Sequence, residues 1–487
     1  MSLLLKTYGT YLLLAAAAAL TIFFATYKLS ESPAIWYDEG FYTQVPMYIA
    51  AHGTQALQVA PDEFVSTEHV TVGYPLLYPV ALSYHLFGPG VLQGRSVMVI
   101  YIGLFVLASY LLVRCLFGAS TAAWSVILLA SFPMLYGNGK SVLGEVPGLF
   151  FLVLTLLALL YLERANYRGI LSYVFVGVTA GVCVATKPIF LLLLGALFLT
   201  YLVRWKKIGF RLRELVWGSA AFLIPVALWV FLQFGTEVSL QSVLAYYANP
   251  YSLGDMTHVI LQNVLRFFTE STPLYALCLM LIWTGALWIR RKKEEISTAE
   301  LVTFFFSLLV IAAYMRLPGW YRYLFPAITV ALIFLPHSAT VVFSYLQKIL
   351  QSRFSFARLV WLPYAVIILL VGLQTYQTAA DSYVAQYYTS TNVANLSAVL
   401  KPLGPNVTFF LYNVPQVAVI LPSRLYYQYL PVTEHLIIGG DQLTVLAKGT
   451  ADYVIVDSDT YRAHLELYSQ YHKYKTVDRY EILQKNS

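Results

Sequence analysis

Long apolar runs alternate with short polar segments along most of this chain. About twenty consecutive apolar residues form a helix long enough to cross the hydrocarbon core of a bilayer. The pattern predicts eleven spanning helices, at residues 10–27, 97–114, 120–136, 146–162, 171–186, 188–204, 215–234, 273–289, 299–316, 322–345 and 358–375. The first run could also be a signal peptide, but residues 25–28 offer no small-x-small cleavage site. We therefore expect a polytopic α-helical membrane protein of about eleven helices.

Two segments interrupt this pattern. Residues 28–96 form a long first loop, rich in Tyr, Pro and Gly, with short helical patterns at 40–51 and 75–87. Residues 376–487 form a polar tail, in which strand patterns at 407–412 and 451–457 precede a polar helix pattern near 459–471. Buried strands followed by helices are typical of a small α/β domain. The chain then divides into a membrane domain, 1–375, and a soluble domain, 376–487.

Charge predicts the orientation of the helices, because Lys and Arg accumulate in cytoplasmic loops. With the N-terminus inside, sixteen basic residues fall in the cytoplasm: Lys6, Arg114, Arg164, Arg168, Arg204, Lys206, Lys207, Arg211, Arg213, Arg290, Arg291, Lys292, Lys293, Lys348, Arg353 and Arg358. Seven basic residues remain in the outer loops. Because the number of helices is odd, the C-terminal domain is expected on the outer side, and we expect the membrane to be the plasma membrane. The composition, 59% hydrophobic and 11% charged, agrees with a lipid environment. The net charge of +7 is explained by this asymmetry, so we predict no nucleic-acid partner.

Two adjacent carboxylates, Asp38 and Glu39, follow the first predicted helix and open the next helical pattern. A carboxylate at a helix N-terminus is favoured in its ionised form and is able to act as a base. The alternative is a structural one, because Asp is a common N-cap and Glu suits the first turn.

Further ionisable residues fall on the same predicted outer face. They are His69, Arg95, Lys140, Glu145, Lys187, Arg316 and Arg322, with Tyr74 in the Gly-Tyr-Pro stretch of the first loop. Each has a structural alternative, because a carboxylate often caps a helix and Lys or Arg often snorkels to the headgroups. Together, basic side chains beside a carboxylate pair in an apolar groove indicate a site for a lipid phosphate.

The order of these features resembles the GT-C superfamily of glycosyltransferases. The resemblance rests on the Asp-Glu pair after the first helix, the Gly-Tyr-Pro-x-x-Tyr-Pro stretch at residues 73–79, the acidic residue before Pro147 and the Arg-Tyr-x-x-Pro at residues 322–326. It covers residues 1 to about 345, and its pattern is similar to that of protein O-mannosyltransferases and lipid A aminoarabinose transferases. The chain lacks the luminal β-trefoil module of the former, and Glu68-His69 replaces basic residues expected in the latter.

The resemblance implies transfer of one sugar, with inversion, from a polyprenyl-phosphate-linked donor to an acceptor lipid, glycan or protein at the outer membrane face. It implies that Asp38 acts as the base and that Glu39 assists. Arg95, Lys187, Arg316 and Arg322 are the candidates for binding the donor phosphate. The candidates for contacting the acceptor or a metal are Glu145, His69, Lys140 and Tyr74. Some relatives use a divalent metal, which Glu145 and Asp38 together would hold; no other cofactor is expected.

Two other functions fit parts of the sequence. A lipid or sugar transporter would carry polar residues near the bilayer midplane and often an internal repeat, whereas the helix interiors here carry almost no charge and no repeat is visible. An O-antigen ligase or polymerase would be expected to use basic residues in a large middle loop. The loop at 235–272 holds one basic residue, Arg266. Both rank below the glycosyl transfer.

Overall fold

A computed structural model describes residues 2–235, 241, 253–291, 296–353, 361–380, 390–433 and 436–486. Three basic residues of the predicted cytoplasmic set, Lys292, Lys293 and Arg358, lie outside these ranges.

Apolar helices occupy all eleven predicted spans. In chain order, with the short helices of the loops included, the helices up to residue 380 are α1 Ser2–Thr26, α2 Tyr37–His52, α3 Tyr74–Phe87, α4 Val91–Phe117, α5 Ala119–Ser131, α6 Pro133–Gly137, α7 Glu145–Arg164, α8 Ile170–Thr186, α9 Leu192–Ile208, α10 Leu212–Phe234, α11 Met256–Thr269, α12 Ser271–Arg290, α13 Thr298–Tyr314, α14 Phe325–Arg353 and α15 Leu362–Ala380. Within the described residues, eight helices are long and apolar enough to cross a bilayer, and α5, α8 and α13 are shorter apolar helices.

The start of α7 illustrates how the local sequence positions the site. Gly144 precedes the helix with a φ of +85°, a conformation that glycine adopts without strain. The turn brings Glu145 into the first turn of α7, as predicted, and leaves it 3% exposed. The helix then runs to Arg164, about 30 Å from the site, at a rise of about 1.5 Å per residue. The two ends of α7 therefore mark the two faces of the bundle.

The first loop folds over one end of the bundle. Its helices, α2 and α3, extend the two predicted patterns by one to three residues at their N-termini. Between them, strands β1 (Leu57–Ala60) and β2 (Glu63–Val65) form an antiparallel hairpin.

The soluble domain contains one six-stranded mixed sheet. Its strands are β3 Phe409–Tyr412, β4 Tyr426–Thr433, β5 Leu436–Ile438, β6 Tyr453–Asp457, β7 Tyr471–Val477 and β8 Tyr480–Lys485, and their order across the sheet is β5-β4-β3-β6-β8-β7. β3 pairs in parallel with β4 and β6, and the outer pairs are antiparallel. Helices α16 Asn392–Leu400, α17 Leu443–Ala447 and α18 Ser458–Ala463 accompany it. The predicted small α/β domain is present.

Two details of the predicted domain differ. The last membrane helix continues to Ala380, past the predicted boundary at 375. The polar helix predicted near 459–471 is divided in the structure: α18 ends at Ala463, a 3-10 helix follows at Leu465–Tyr468, and β7 begins at Tyr471. β7 is an edge strand whose middle residues are all exposed, so its polar sequence lacks the alternating pattern of a half-buried strand.

The soluble domain packs on α2 through buried amide side chains. Gln44 of α2 donates to the carbonyl of Pro415 over 3.2 Å and accepts from the Gln428 amide at 2.8 Å. From the hairpin, Gln58 donates to the carbonyls of Arg424 and Tyr426 over 2.9 and 3.1 Å. A buried amide is stable only when its polar atoms have partners, so these contacts fix the domain against the first loop.

Candidate active site

A groove of about 510 Å³ opens where the first loop meets the ends of the membrane helices. Its walls come from the start of α2, from α6 and the loop that follows it, and from the turn before α14. The lining residues are Pro33, Trp36, Asp38, Met134, Gly137, Asn138, Leu143, Gly319, Trp320, Tyr321 and Arg322. The groove is thus mainly aromatic and apolar, with a few polar groups, as small-molecule sites usually are.

Asp38 and Arg322 meet in this groove. The guanidinium Nη1 donates to the Asp38 carboxylate, whose side chain is 24% exposed. Trp36 and Trp320 lie beside the guanidinium, with its carbon 5.0 and 4.8 Å from the two ring centroids. The structure decides against Asp38 as a helix cap, because the N-cap of α2 is Trp36, which makes no side-chain capping bond. Asp38 is the carboxylate of the predicted pair that reaches the groove.

A second ion pair lies deeper. Lys187 Nζ contacts the Glu145 carboxylate at 2.5 Å and donates to the carbonyl of Leu143 at 2.9 Å. Both side chains are nearly buried, at 10% and 3% exposure. Leu143 lines the groove, so the pair lies directly behind this part of the wall, and Lys187 interacts electrostatically with Arg322 and Asp38.

Three polar atoms at this site are buried and lack a hydrogen-bond partner among the described residues: Arg322 Nε, Glu145 Oε2 and the Tyr37 hydroxyl. Buried donors and acceptors are normally paired, and each unpaired one costs about 1–3 kcal/mol. Such groups are suited to a polar ligand. Arg322 keeps an N–H donor for an anion while its other end holds Asp38.

The pKa values here follow from burial and from the neighbouring charges. Burial lowers the pKa of Lys187, and Arg322 lowers it further, whereas Glu145 acts in the opposite direction. Burial also disfavours the charged form of Arg322, but the Asp38 carboxylate, Tyr42 and Glu145 together raise the pKa of the guanidinium. Burial and the charge of Asp38 raise the pKa of the Tyr37 hydroxyl, which keeps it a neutral donor.

Glu39 and Arg95 pair with each other and do not line the groove, in contrast to their predicted roles. Arg95 Nε and Nη2 donate to the two Glu39 oxygens over 2.7 and 2.6 Å, and Nη1 donates to the carbonyls of Leu29 and Pro33. The side chains are 0% and 1% exposed. The bidentate pair therefore fastens α2 to α4. Every guanidinium nitrogen of Arg95 already has a partner, and none reaches the groove. Arg95 is thus not a ligand of the donor phosphate, and Glu39 has a structural role instead of a catalytic one.

Lys140 belongs to the same buried cluster. Its ammonium donates to the carbonyl of Tyr27 over 2.8 Å, and the residue is 0% exposed. Burial, together with the charge of Arg95, lowers the pKa of Lys140 to about 7, although Glu39 raises it. Its contacts link the end of α1 to the loop before α7, so a role in binding the acceptor is not supported.

The remaining predicted residues do not line the groove. Arg316 is exposed at the end of α13. His69 pairs with Glu68 at 3.1 Å in the first loop. Tyr74 packs against a small cluster that contains Trp229. We do not retain these three as contacts of the groove.

Several groove residues were missed as site residues although their segments were singled out. Trp36 and Trp320 flank the predicted charges, and a Trp beside an Arg is itself a signal for a cation–π site. Tyr321 lines the groove and donates to Glu270 over 2.7 Å. Arg266 supports the same turn by donating to the carbonyl of Gly319 at 2.6 Å, a contact for which the sequence offers no signal.

The fit of a divalent metal is poor with the side chains present. Asp38 and Glu145 each face a cation, and no group of three or more His, Cys, Asp or Glu side chains comes together in the described part of the chain. Divalent metals in proteins usually take several oxygen ligands. We therefore derive no step through a metal.

Solved structures with a similar overall fold are known. ArnT from Cupriavidus metallidurans, solved with bound undecaprenyl phosphate, has a TM-score of 0.65 at 14% identity, and the alignment covers 96% of this chain and 97% of that one. The chain has the GT-C fold. The archaeal oligosaccharyltransferase AglB from Archaeoglobus fulgidus, in complex with an inhibitory peptide and a dolichol-phosphate, matches with a TM-score of 0.59 at 13% identity over 95% of this chain and 71% of its own.

Other comparisons agree with the GT-C assignment. The arabinofuranosyltransferase AftD from Mycobacteria matches with a TM-score of 0.53 at 12% identity, over 98% of this chain and 40% of its own. A family model described as dolichyl-phosphate-mannose-protein mannosyltransferase matches residues 75–232. No curated protein matches the chain in sequence. The resemblance read from the sequence is confirmed at the level of the GT-C fold.

Proposed function

We propose that this protein transfers a single sugar from a polyprenyl-phosphate-linked donor to an acceptor hydroxyl or phosphate at the outer face of the plasma membrane. The observation that carries the proposal is the Asp38–Arg322 pair in the groove, where a partly exposed carboxylate lies beside a cation with a free buried donor. Support comes from the relatives: ArnT was solved with undecaprenyl phosphate and AglB with a dolichol-phosphate.

In the proposed reaction Asp38 accepts the proton of the acceptor hydroxyl. The acceptor oxygen then forms a bond to the anomeric carbon on the face opposite to the departing phosphate, so the configuration inverts. The bond between the anomeric carbon and the phosphate oxygen breaks, and its electron pair leaves on the polyprenyl phosphate. A positioned base typically contributes a factor of about 10²–10⁴ to such a step.

The departing phosphate gains negative charge and needs donors close by. Arg322 Nε is one such donor, buried and without a partner among the described residues. Lys187 is the other candidate, since its ammonium donates to the carbonyl of Leu143, a residue of the groove wall, and interacts with Arg322. The rings of Trp36 and Trp320 lie beside the Arg322 guanidinium and hold it in place by cation–π contacts.

The proposal is tested with Asp38→Asn in membranes supplied with a radiolabelled polyprenyl-phosphate sugar. Asn keeps the shape of the side chain and removes its basicity, so we expect transfer to fall by about 10²-fold or more while protein levels stay normal. The matched control is Glu31→Gln, which neutralises a carboxylate of the same loop that pairs only loosely, at 3.8 Å, with Lys28. Its transfer rate should equal that of the parent.

Undiminished transfer by Asp38→Asn would remove Asp38 from the mechanism. Loss of transfer in both variants would point to a general effect of charge in the loop. The orientation is tested separately with a cysteine at Ser458 in the soluble domain, at the start of α18. An impermeant thiol reagent added outside intact cells should label it, and protection of this cysteine would contradict the proposed orientation.

A further inference from the structure

A second cavity lies inside the helix bundle, remote from the groove. It has a volume of about 340 Å³ and is bounded by α7, α8, α9, α10 and α13, with walls that are almost entirely apolar. Its lining residues include Leu159, Val176, Ala180, Leu197, Leu215 and Phe222. Its size is at the lower end of the range for ligand sites.

Two helices show that this cavity lies at the opposite membrane face. α7 begins at Glu145 in the site and reaches the cavity wall at Leu159 and Leu162, near its other end. α8 runs the other way, with Tyr173 in the cavity wall and its last residue, Thr186, next to Lys187 of the site. About thirteen helical residues separate Tyr173 from Thr186, which corresponds to about 20 Å.

Two buried hydroxyls without partners among the described residues lie in the wall of this apolar cavity. Thr200 and Tyr201 line it, and neither hydroxyl has a hydrogen-bond partner within the described residues, although both oxygens are buried. Thr200 is only 1% exposed. Apolar walls alone would need no polar atoms, and an unpaired buried hydroxyl is costly, so these groups indicate a ligand with a polar end.

Basic residues outnumber acidic ones beside the cavity, where Glu163 pairs with Lys207 and Glu214 lies near Tyr173. Arg211 precedes α10 by one residue and lies one helical turn before Leu215 of the wall. Its Nε is buried and has no hydrogen-bond partner in the part of the chain that the structure describes, and the guanidinium interacts electrostatically with the Tyr173 hydroxyl. Four further basic residues lie within seven positions along the chain: Arg204, Lys206, Lys207 and Arg213.

We propose that this cavity binds one anionic glycerophospholipid from the leaflet opposite to the active site. One acyl chain fills the apolar space between α8 and α10, and the phosphate accepts a hydrogen bond from Arg211 Nε, with the hydroxyls of Thr200 and Tyr201 contacting the glycerol oxygens. A basic cluster at a membrane face favours an anionic headgroup. The charge complementarity selects a phospholipid with net negative charge over a zwitterionic one.

The binding is measured by native mass spectrometry on delipidated full-length protein in detergent, titrated with phosphatidylglycerol or phosphatidylcholine. We expect one saturable phosphatidylglycerol site and weaker binding of phosphatidylcholine. Arg211→Gln removes the charge-assisted bond and should weaken phosphatidylglycerol binding by roughly tenfold or more. The matched control, Arg213→Gln, removes the same charge from an exposed position of the same cluster and should change the affinity by about twofold at most.

A second variant keeps every charge. Val176→Trp fills the cavity with an indole ring and should abolish the saturable site, so the proposal does not depend on the folding of Arg211→Gln alone. Equal affinity of the parent protein for the two lipids would overturn the proposal, as would equal losses in Arg211→Gln and Arg213→Gln. Displacement of phosphatidylglycerol by a polyprenyl phosphate would assign the cavity to the carrier tail instead.

Discussion

The buried pair of Glu39 and Arg95 allows a structural role to be distinguished from a catalytic one, because its loss should lower the stability of the protein. Glu39→Gln keeps the size of the side chain but removes its charge. Arg95 is then a cation at 0% exposure that retains two backbone carbonyls, of Leu29 and Pro33, and loses its bidentate carboxylate. Breaking a buried pair on one side costs about 3–5 kcal/mol. Because the amide oxygen introduced by Glu39→Gln would still accept one bond, we expect the lower end of that range, about 3 kcal/mol.

The free energy of unfolding is measured by titrating the purified protein with SDS in mixed micelles and following tryptophan fluorescence. The control is again Glu31→Gln, whose pair with Lys28 spans 3.8 Å with side chains 31% and 46% exposed. An exposed pair of that kind contributes at most about 1 kcal/mol. The double variant Glu39→Gln/Arg95→Met removes the uncompensated cation and should recover most of the loss.

A Glu39→Gln protein as stable as Glu31→Gln would refute the assignment of this pair to the scaffold. If its stability were unchanged and sugar transfer were abolished, Glu39 would have to act in the chemistry. If the double variant were less stable than Glu39→Gln alone, the buried charge of Arg95 would not be the source of the loss.

Two other predictions concern single side chains. The pKa of Lys140 is about 7 in the folded protein and about 10.5 when unfolded, so the unfolded state binds more protons between these values and the free energy of unfolding rises with pH there. Lys140→Met should remove this rise, at most about 1.4 kcal/mol per pH unit, in melting curves recorded from pH 7 to 10. Arg322→Lys keeps the charge but loses the fork that holds Asp38 and leaves Nε free, so kcat/KM for transfer should fall roughly tenfold or more. An unchanged kcat/KM would show that charge alone suffices.

Hydropathy predicted the membrane helices well, because a helix that crosses lipid needs about twenty apolar residues whatever its neighbours are. The same reasoning does not reach the partners of charged residues. Asp38 and Glu39 are adjacent, yet successive helical residues point about 100° apart. One side chain therefore faces the groove and the other faces α4. Nothing local in the sequence distinguishes them, since the distinction depends on Arg95 and Arg322, which are far along the chain.

The conjunction of charges was informative where single residues were not. Lys187 and Arg322 were predicted to lie together on one face. The structure places Arg322 in the groove with Asp38, and Lys187 pairs with Glu145 directly behind the groove wall. Arg95 lies at the same end of the helix bundle as the groove, but the burial of its side chain depends on how the first loop packs against it. The edge strand β7 was missed because its five central residues, which include Lys473 and Lys475, are all exposed, so no apolar residue alternates with a polar one there.

The contact between α2 and the soluble domain limits how modular this protein is. A methyl group at Gly40 would overlap the backbone of Gln416, so the helix that carries Asp38 touches the soluble domain directly two residues further on. The amides of Gln44 and Gln428 complete that contact. An exchange of soluble domains between relatives must therefore transfer α2 together with the segment Pro415–Ile420. The position of Asp38 and the packing of the soluble domain are in this sense inherited as one unit.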